Sequence, residues 1–193
     1  MRGTALALPM ALVALSIGAC VTPEVLQPRS AAVPAGMDFS GRWQLRDPDR
    51  ESIRRLDEAT AGVPDDILKE ARRARTGQAS QSSKGTSVYV FLETGVNLKI
   101  TQTEFGIFVS FDRSVVEEYR FGENRVVNVG PITASRVSGW EGNDYVIETL
   151  DEDGAKLVER YRLESDDSVL VRTIAIWIKE KSSFEVEQSF DRV

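Results

Sequence analysis

The sequence predicts a mainly β protein in which about ten or eleven antiparallel strands form a single barrel, with a short helical insertion after the first strand. Apolar and polar residues alternate with a period of two over most of the chain from Asp38 onward, a pattern typical of strands with one buried face. Turn residues separate these segments at short intervals. So many strands need two stacked sheets or a closed barrel to remove exposed edges, and we favour the barrel.

The predicted strands are residues 39–45, 88–92, 97–103, 107–112, 117–121, 125–129, 134–141, 144–151, 155–164, 168–178 and 183–192. Plausible hairpin connections lie at residues 121–124, 141–144, 151–154 and 165–168. The alternation is clearest in the last strand, where Phe184, Val186 and Phe190 share one face and Glu185 and Glu187 the other. Such a strand separates a core from water.

The helical insertion is expected at about residues 48–76, as segments 48–60 and 64–76. Its few apolar residues lie among many charges, which predicts solvated helices with ion pairs one turn apart. Arg72, Arg73 and Arg75 leave a second interpretation open, namely contact with a lipid phosphate or an acidic ligand. Residues 77–87 are polar and low in complexity, and we expect a mobile loop there.

Composition excludes several function classes. The chain contains no histidine and one cysteine, which removes the base of Ser-His and Cys-His catalysis, the usual zinc ligand and any internal disulfide. Its formal net charge of -6 gives nucleic acid no general attraction. We therefore expect no nucleic-acid partner, no metal and no cofactor.

Paired acidic residues do not predict an enzyme. Glu117 and Glu118, like Asp166 and Asp167, are adjacent, and adjacent strand residues point to opposite faces, so neither pair can flank one glycosidic bond. The acidic turn at residues 151–154 lacks the length and terminal Glu of an EF-hand loop. We expect a protein without enzymatic activity.

The amino-terminal residues predict an export signal at residues 1–19. Arg2 supplies a positive charge, and residues 5–18 form an uncharged, mostly apolar run of 14 residues. This run is short for a permanent transmembrane helix, which needs about 20 residues. Residues 17–20 (Ile-Gly-Ala-Cys) resemble the lipobox of bacterial lipoproteins.

That resemblance implies that Cys20 is acylated and becomes the mature amino terminus. The two or three acyl chains that it implies would make membrane attachment lasting. Val21 stands where an Asp retains many lipoproteins at the inner membrane, which favours the periplasmic face of the outer membrane. Residues 20–37 predict a Pro-containing flexible linker. At about 3.3 Å per residue, it would hold the barrel clear of the lipid headgroups.

Residues 38–43 (Asp-Phe-Ser-Gly-Arg-Trp) resemble the Gly-x-Trp start of lipocalins and other calycins, in which the Trp closes one barrel end. Residues 139–149, 157–163 and 170–178 resemble the last hairpins of bacterial lipocalin-like proteins of unassigned activity. The resemblance implies a lipocalin-like barrel domain over residues 38–193.

The candidate ligand-binding residues are Trp43, Trp140, Trp177, Arg42 and Arg136. Two interpretations are open. The aromatic side chains line a cavity for an apolar ligand whose carboxylate pairs with an arginine, or they fill the barrel while an arginine packs across a tryptophan.

Three functions remain compatible with these observations. The first is a membrane-anchored envelope lipoprotein whose barrel binds a small hydrophobic ligand or lipid. The alternative is a non-catalytic structural or protein-interaction module of the envelope. A hydrolase that uses carboxylates alone ranks third, because it requires two acids on neighbouring strands in one cleft.

Overall fold

The computed structural model describes residues 24–46, 50–61, 88–130, 132–178 and 181–193. The helical elements are α1 (Arg50–Ala61) and a 3₁₀ helix (Val88–Phe91). The strands are β1 (Gly41–Leu45), β2 (Asn97–Gln102), β3 (Gly106–Phe111), β4 (Val115–Arg120), β5 (Glu123–Val129), β6 (Ile132–Glu141), β7 (Asp144–Asp151), β8 (Ala155–Glu164), β9 (Val169–Ile178) and β10 (Lys181–Arg192).

The ten strands form one antiparallel sheet in the order β4-β3-β2-β1-β10-β9-β8-β7-β6-β5. β1 joins the two halves of the chain, since Trp43 lies opposite Leu98 of β2 and Arg192 of β10. The outer strands β4 and β5 approach each other without pairing, and the Ser138 hydroxyl of β6 donates a 2.8 Å hydrogen bond to the Arg120 carbonyl of β4. The prediction of a mainly β protein with a single antiparallel barrel and a helical insertion after the first strand is confirmed.

One predicted strand is wrong. Residues 88–91 form the 3₁₀ helix, in which Val88, Val90 and Phe91 are all buried. A strand buried on one face would alternate, and a short continuous apolar run does not distinguish strand from helix. The export signal, Cys20, the second predicted helix and the predicted loop at residues 77–87 lie outside the described residues.

Helix α1 packs on the barrel through Ser52 and Leu56, which are one turn apart and buried. The Ser52 hydroxyl accepts a 3.3 Å hydrogen bond from Gln188 of β10. On the solvent side, Arg54 pairs with Glu51 and Glu58, as the charge pattern predicts. In the described part of the chain, no helix has the length and apolar character needed to cross a bilayer.

Two apolar clusters fill the two ends of the barrel. The helix end is the end where α1, the 3₁₀ helix and the β3–β4, β5–β6 and β7–β8 hairpins lie, and the tryptophan end is the opposite one. The helix-end cluster consists of Leu56, Val88, Val90, Phe91, Leu92, Ile132, Ala134, Ala155, Leu157, Ile174, Ile176 and Val186. The tryptophan-end cluster consists of Phe39, Trp43, Leu98, Ile100, Ile107, Val109, Phe111, Tyr119, Trp140, Tyr145, Ile147, Tyr161, Leu170 and Phe190.

The N-terminal strap, residues 24–31, lies on the outside of the barrel. Glu24 pairs with Lys156 at the helix end. Arg29 pairs with Glu148 of β7 at 3.0 Å, and the Ser30 carbonyl accepts a 2.9 Å hydrogen bond from the Trp140 amide at the tryptophan end. This part of the predicted linker therefore packs on the barrel, which differs from the free tether expected from its composition.

Candidate functional site: the cleft between β4 and β5

A cleft of about 420 Å³ opens between the outer strands β4 and β5. Near the tryptophan end, the two strands are bridged by Arg125, whose guanidinium donates a 3.3 Å hydrogen bond to the Glu118 carbonyl. The cleft opens from there toward the helix end. Its lining residues are Phe91, Glu117, Arg125, Val126, Val127, Asn128, Val129, Gly130 and Arg136.

Arg136 lies at the floor of the cleft and is only 4% exposed. It points inward from β6, where its Nε donates a 3.1 Å hydrogen bond to the Thr149 hydroxyl. Its Nη1 lies 3.7 Å from Glu117 Oε2, which is longer than the usual 2.7–3.2 Å hydrogen bond. The guanidinium also lies 5.3 Å from the Tyr119 ring centre and 5.8 Å from that of Phe91. It is a buried cation with aromatic neighbours and one long acidic contact.

A second buried arginine, Arg172, lies deeper in the barrel and is fully buried. Its Nε donates a 3.1 Å hydrogen bond to Glu159, and its Nη2 donates to the same carboxylate and to the Glu93 carbonyl at 2.8 Å. The Tyr161 hydroxyl donates to Glu159 at 3.3 Å. Because its acidic partner is so close, this arginine belongs to the structural framework of the interior.

Buried tyrosines surround these arginines. Burial raises the pKa of Tyr119 and of Tyr161 well above the usual value, and the charge of Glu159 raises both further. Both side chains are therefore neutral hydroxyls at physiological pH. The Tyr119 hydroxyl and Arg172 Nη1 are two of the buried polar groups that have no hydrogen-bond partner within the described residues. Since buried polar groups are nearly always paired, these two groups leave hydrogen-bonding capacity in the barrel interior, and the ring of Tyr119 lies beside Arg136.

The five candidate residues from the sequence do not converge on one site. Only Arg136 reaches the cleft. Trp43 and Trp140 lie in the tryptophan-end cluster, Trp177 is partly exposed on the outer surface of β9, and Arg42 is exposed on β1.

The two tryptophans of the tryptophan end are packed as core residues. Trp43 Nε1 donates a 3.0 Å hydrogen bond to the Phe39 carbonyl, and Trp140 stacks on the Phe39 ring at 5.5 Å. Arg192 packs across Trp43 at 4.3 Å. An arginine does cover a tryptophan at one barrel end, but it is Arg192 and not Arg42.

Sequence reasoning missed Glu117, Tyr119 and Phe91 as site residues. Glu117 and Tyr119 are two apart on β4 and therefore share a face, a signal that could have placed the acid beside an inward tyrosine. Phe91 carried no such signal, because its segment is helical.

The described residues offer little to hydrolytic or metal chemistry. Glu117 is the one carboxylate among the residues that line the cleft, whereas a glycoside hydrolase uses two. In the described ranges, no group of three or more Cys, Asp or Glu residues is placed to hold a metal ion.

A separate groove, the aromatic groove, lies on the outer surface at the tryptophan end and has a volume of about 930 Å³. Phe105 in the β2–β3 turn is 71% exposed and Phe108 of β3 is 38% exposed. Phe121 completes its aromatic side, and Glu118 and Arg120 add charge at the border. This surface is distinct from the cleft.

Comparisons with known proteins identify no family. No family profile matches the sequence, and no curated protein matches it significantly. Among solved structures, the fold is similar to that of secretory abundant heat soluble protein 4 from Ramazzottius varieornatus, with 11% identity, a TM-score of 0.49, and coverage of 84% of this chain and 99% of that one.

Two further structures show a comparable likeness. The zebrafish ileal bile acid-binding protein, complexed with cholic acid, has 13% identity, a TM-score of 0.44, and coverage of 80% of this chain and 98% of that one. A luciferase domain from the dinoflagellate Lingulodinium polyedrum has 13% identity, a TM-score of 0.49, and coverage of 89% of this chain and 46% of that one.

Proposed function

We propose that the protein is an envelope lipoprotein, acylated at Cys20, whose barrel binds a small amphipathic ligand through an acidic group. The acylation is supported by the lipobox resemblance of residues 17–20, and the absence of Asp after Cys20 favours the periplasmic face of the outer membrane. The ligand site is the cleft between β4 and β5. No catalytic role is assigned to it.

The observation that carries the binding proposal is the position of Arg136. A buried charge is costly unless it is paired, and the nearest carboxylate oxygen of Glu117 is 3.7 Å away. A ligand carboxylate at the cleft floor would supply shorter, charge-assisted hydrogen bonds to the planar guanidinium. The neutral Tyr119 hydroxyl lies on the same inner face and offers a further donor.

The apolar part of the ligand would pack toward the helix end. Phe91 is buried at the cleft floor, and Val127 and Val129 pack against the helix-end cluster. A volume of about 420 Å³ lies within the range of small-molecule sites, which is roughly 300–1,000 Å³. The site suits one small molecule with an apolar body and a single acidic group.

Binding of a fluorescent fatty acid, measured by titration, tests this proposal. Arg136→Gln removes the cation and keeps a polar side chain, and we expect it to weaken binding by about 10- to 100-fold, as for the loss of a charge-assisted hydrogen bond worth about 1.5–3 kcal/mol. The matched control is Arg162→Gln on β8, because Arg162 is 41% exposed and its partner in the described part of the chain is the surface residue Glu164. Titrations of both variants measure the two affinities side by side.

The methyl ester of the same probe keeps the apolar chain but has no negative charge. It therefore tests whether binding depends on the carboxylate. We expect the ester to bind weakly and equally to the unmodified protein and to Arg136→Gln. Equal affinity of the acid for Arg136→Gln and Arg162→Gln would contradict the proposal, as would an ester that binds as tightly as the acid.

The aromatic groove favours a second candidate function, an interaction module of the envelope. Phe105 and Phe108 are exposed together in one groove, and contiguous exposed apolar patches with aromatic residues are typical of interfaces. In that case the titrations above would show no specific binding of the acid to any of the proteins.

A further inference from the structure

We propose that the N-terminal strap holds the helix end of the barrel, and with it the mouth of the cleft, at the surface of the bilayer. This inference rests on the acylation of Cys20 in the proposed function. It adds an orientation and a distance, which the lipid anchor alone does not determine.

The first step is that the strap is fastened along its length. Glu24 pairs with Lys156 at the helix end, and Leu26 is only 7% exposed. Arg29 pairs with Glu148 at 3.0 Å and with Glu141 at 3.2 Å. These contacts involve β6, β7 and β8, so the strap crosses three neighbouring strands before the chain enters the tryptophan end.

The second step is that the strap lies directly on the sheet backbone. Ser30 forms an antiparallel bridge with Trp140, two residues beyond Ser138, where β5 stops pairing with β6. A Cβ atom added at Gly139 would lie 2.5 Å from the Ser30 carbonyl oxygen and 2.7 Å from Arg29 Cβ. Only glycine permits this approach.

The third step concerns length. Glu24 lies four residues after Cys20, and four residues extend to about 14 Å at most. An unattached linker of about 17 residues would reach several times further. With the strap fastened, the helix end lies within about 14 Å of the acylated residue. β8 has ten residues, a length of roughly 33 Å, and so the tryptophan end lies well away from the bilayer.

The fourth step connects the anchor with the site. Phe91 of the 3₁₀ helix and Gly130 of the β5–β6 hairpin line the cleft on its helix-end side. An acidic amphiphile that leaves the bilayer would therefore have a short path to Arg136. The helix end has exposed charges of both signs, Glu152 and Asp153 on the β7–β8 hairpin and Arg55 and Arg113 elsewhere, so the tether length sets the distance in this proposal.

Energy transfer from single labelled sites to headgroup-labelled acceptor lipid tests the orientation. The full acylated chain is reconstituted in phosphatidylcholine vesicles with a donor dye at Glu152→Cys, at the helix end, or at Asn143→Cys, at the tryptophan end. Acylation occupies the Cys20 thiol, so the introduced cysteine is the only free one. We expect strong transfer from Glu152→Cys, weak transfer from Asn143→Cys, and loss of this difference when Arg29→Ala releases the strap.

Each outcome decides the proposal. Equal transfer from the two sites, or a difference that Arg29→Ala leaves unchanged, would overturn it. Chains that fail to partition with vesicles would overturn the acylation of Cys20 and the orientation together, whereas ligand binding is measured separately in solution. A circular dichroism spectrum and a urea midpoint close to those of the unmodified protein show that Arg29→Ala is folded, and Glu148→Gln provides a second strap-release variant.

Discussion

The two buried arginines of the barrel have different surroundings. Arg172 donates two hydrogen bonds to Glu159, so its charge is compensated inside the protein. Arg136 donates a hydrogen bond to the neutral Thr149 hydroxyl, and its acidic partner among the described residues, Glu117, is 3.7 Å away. Because of this difference, we assign a structural role to Arg172 and the ligand-binding role to Arg136.

The buried tyrosines predict a loss of stability in alkaline solution. Burial raises the pKa of Tyr119 and Tyr161 in the folded barrel, whereas an unfolded tyrosine titrates near pH 10. Below about pH 10 both states keep their protons and this contribution to stability is complete. Above it, the unfolded chain releases protons that the folded barrel retains, so we expect the free energy of unfolding to fall as pH rises.

Urea unfolding between about pH 9 and 11, with tyrosinate absorbance recorded in parallel, measures this effect. The chain has four tyrosines, and burial raises the pKa of Tyr145 as well. Titration of all four near pH 10 in the native protein, with no loss of stability, would show that the tyrosines are not enclosed as described.

At the scale of elements, the strands are the part of the fold that the sequence predicts well. A period of two along one strand is a local signal, and all ten observed strands have a predicted counterpart. The 3₁₀ helix is the exception, since residues 88–92 form a continuous apolar run without alternation.

The candidate site was much less predictable. Arg136 lies four residues before Trp140 in sequence, yet its contacts come from Glu117 and Tyr119 on β4, Thr149 on β7 and Phe91 of the 3₁₀ helix. β4 and β6 do not pair, so no strand pattern brings them together. The packing of the strap could not be predicted either. Its composition is that of a linker, and its partners are more than a hundred residues away in sequence.

Gly139→Ala tests whether the strap lies directly on the backbone of β6. The added methyl would collide with the Ser30 carbonyl oxygen, so we expect the strap to lift from β6 at a cost of about 1–3 kcal/mol in unfolding free energy. Amide hydrogen exchange of residues 24–31 should accelerate selectively. Gly142→Ala is the control, because a Cβ there meets nothing within 4 Å, although its φ of 62° adds some local strain.

Unchanged exchange in residues 24–31 of Gly139→Ala would contradict the close contact between the strap and β6. Faster exchange throughout the barrel would show instead that the substitution damages the whole sheet. The proposed structure requires the effect to be confined to the strap and to the residues that it covers.

At the scale of the whole molecule, the barrel has two unlike ends. The helix end carries α1, the mouth of the cleft and the start of the strap, whereas the tryptophan end carries the aromatic groove. In the proposed orientation, the cleft faces the bilayer, and the aromatic groove faces away from it. Lipid attachment and ligand exchange then take place at one end of the barrel, and any protein contact takes place at the other.

Native mass spectrometry of the protein extracted from bacterial membranes tests the central claim most directly. The account predicts a chain that begins at Cys20, carries the mass of attached acyl chains, and retains one non-covalently bound acidic amphiphile that Arg136→Gln loses and Arg162→Gln keeps. An unmodified Cys20, or a bound molecule retained equally by both variants, would contradict it.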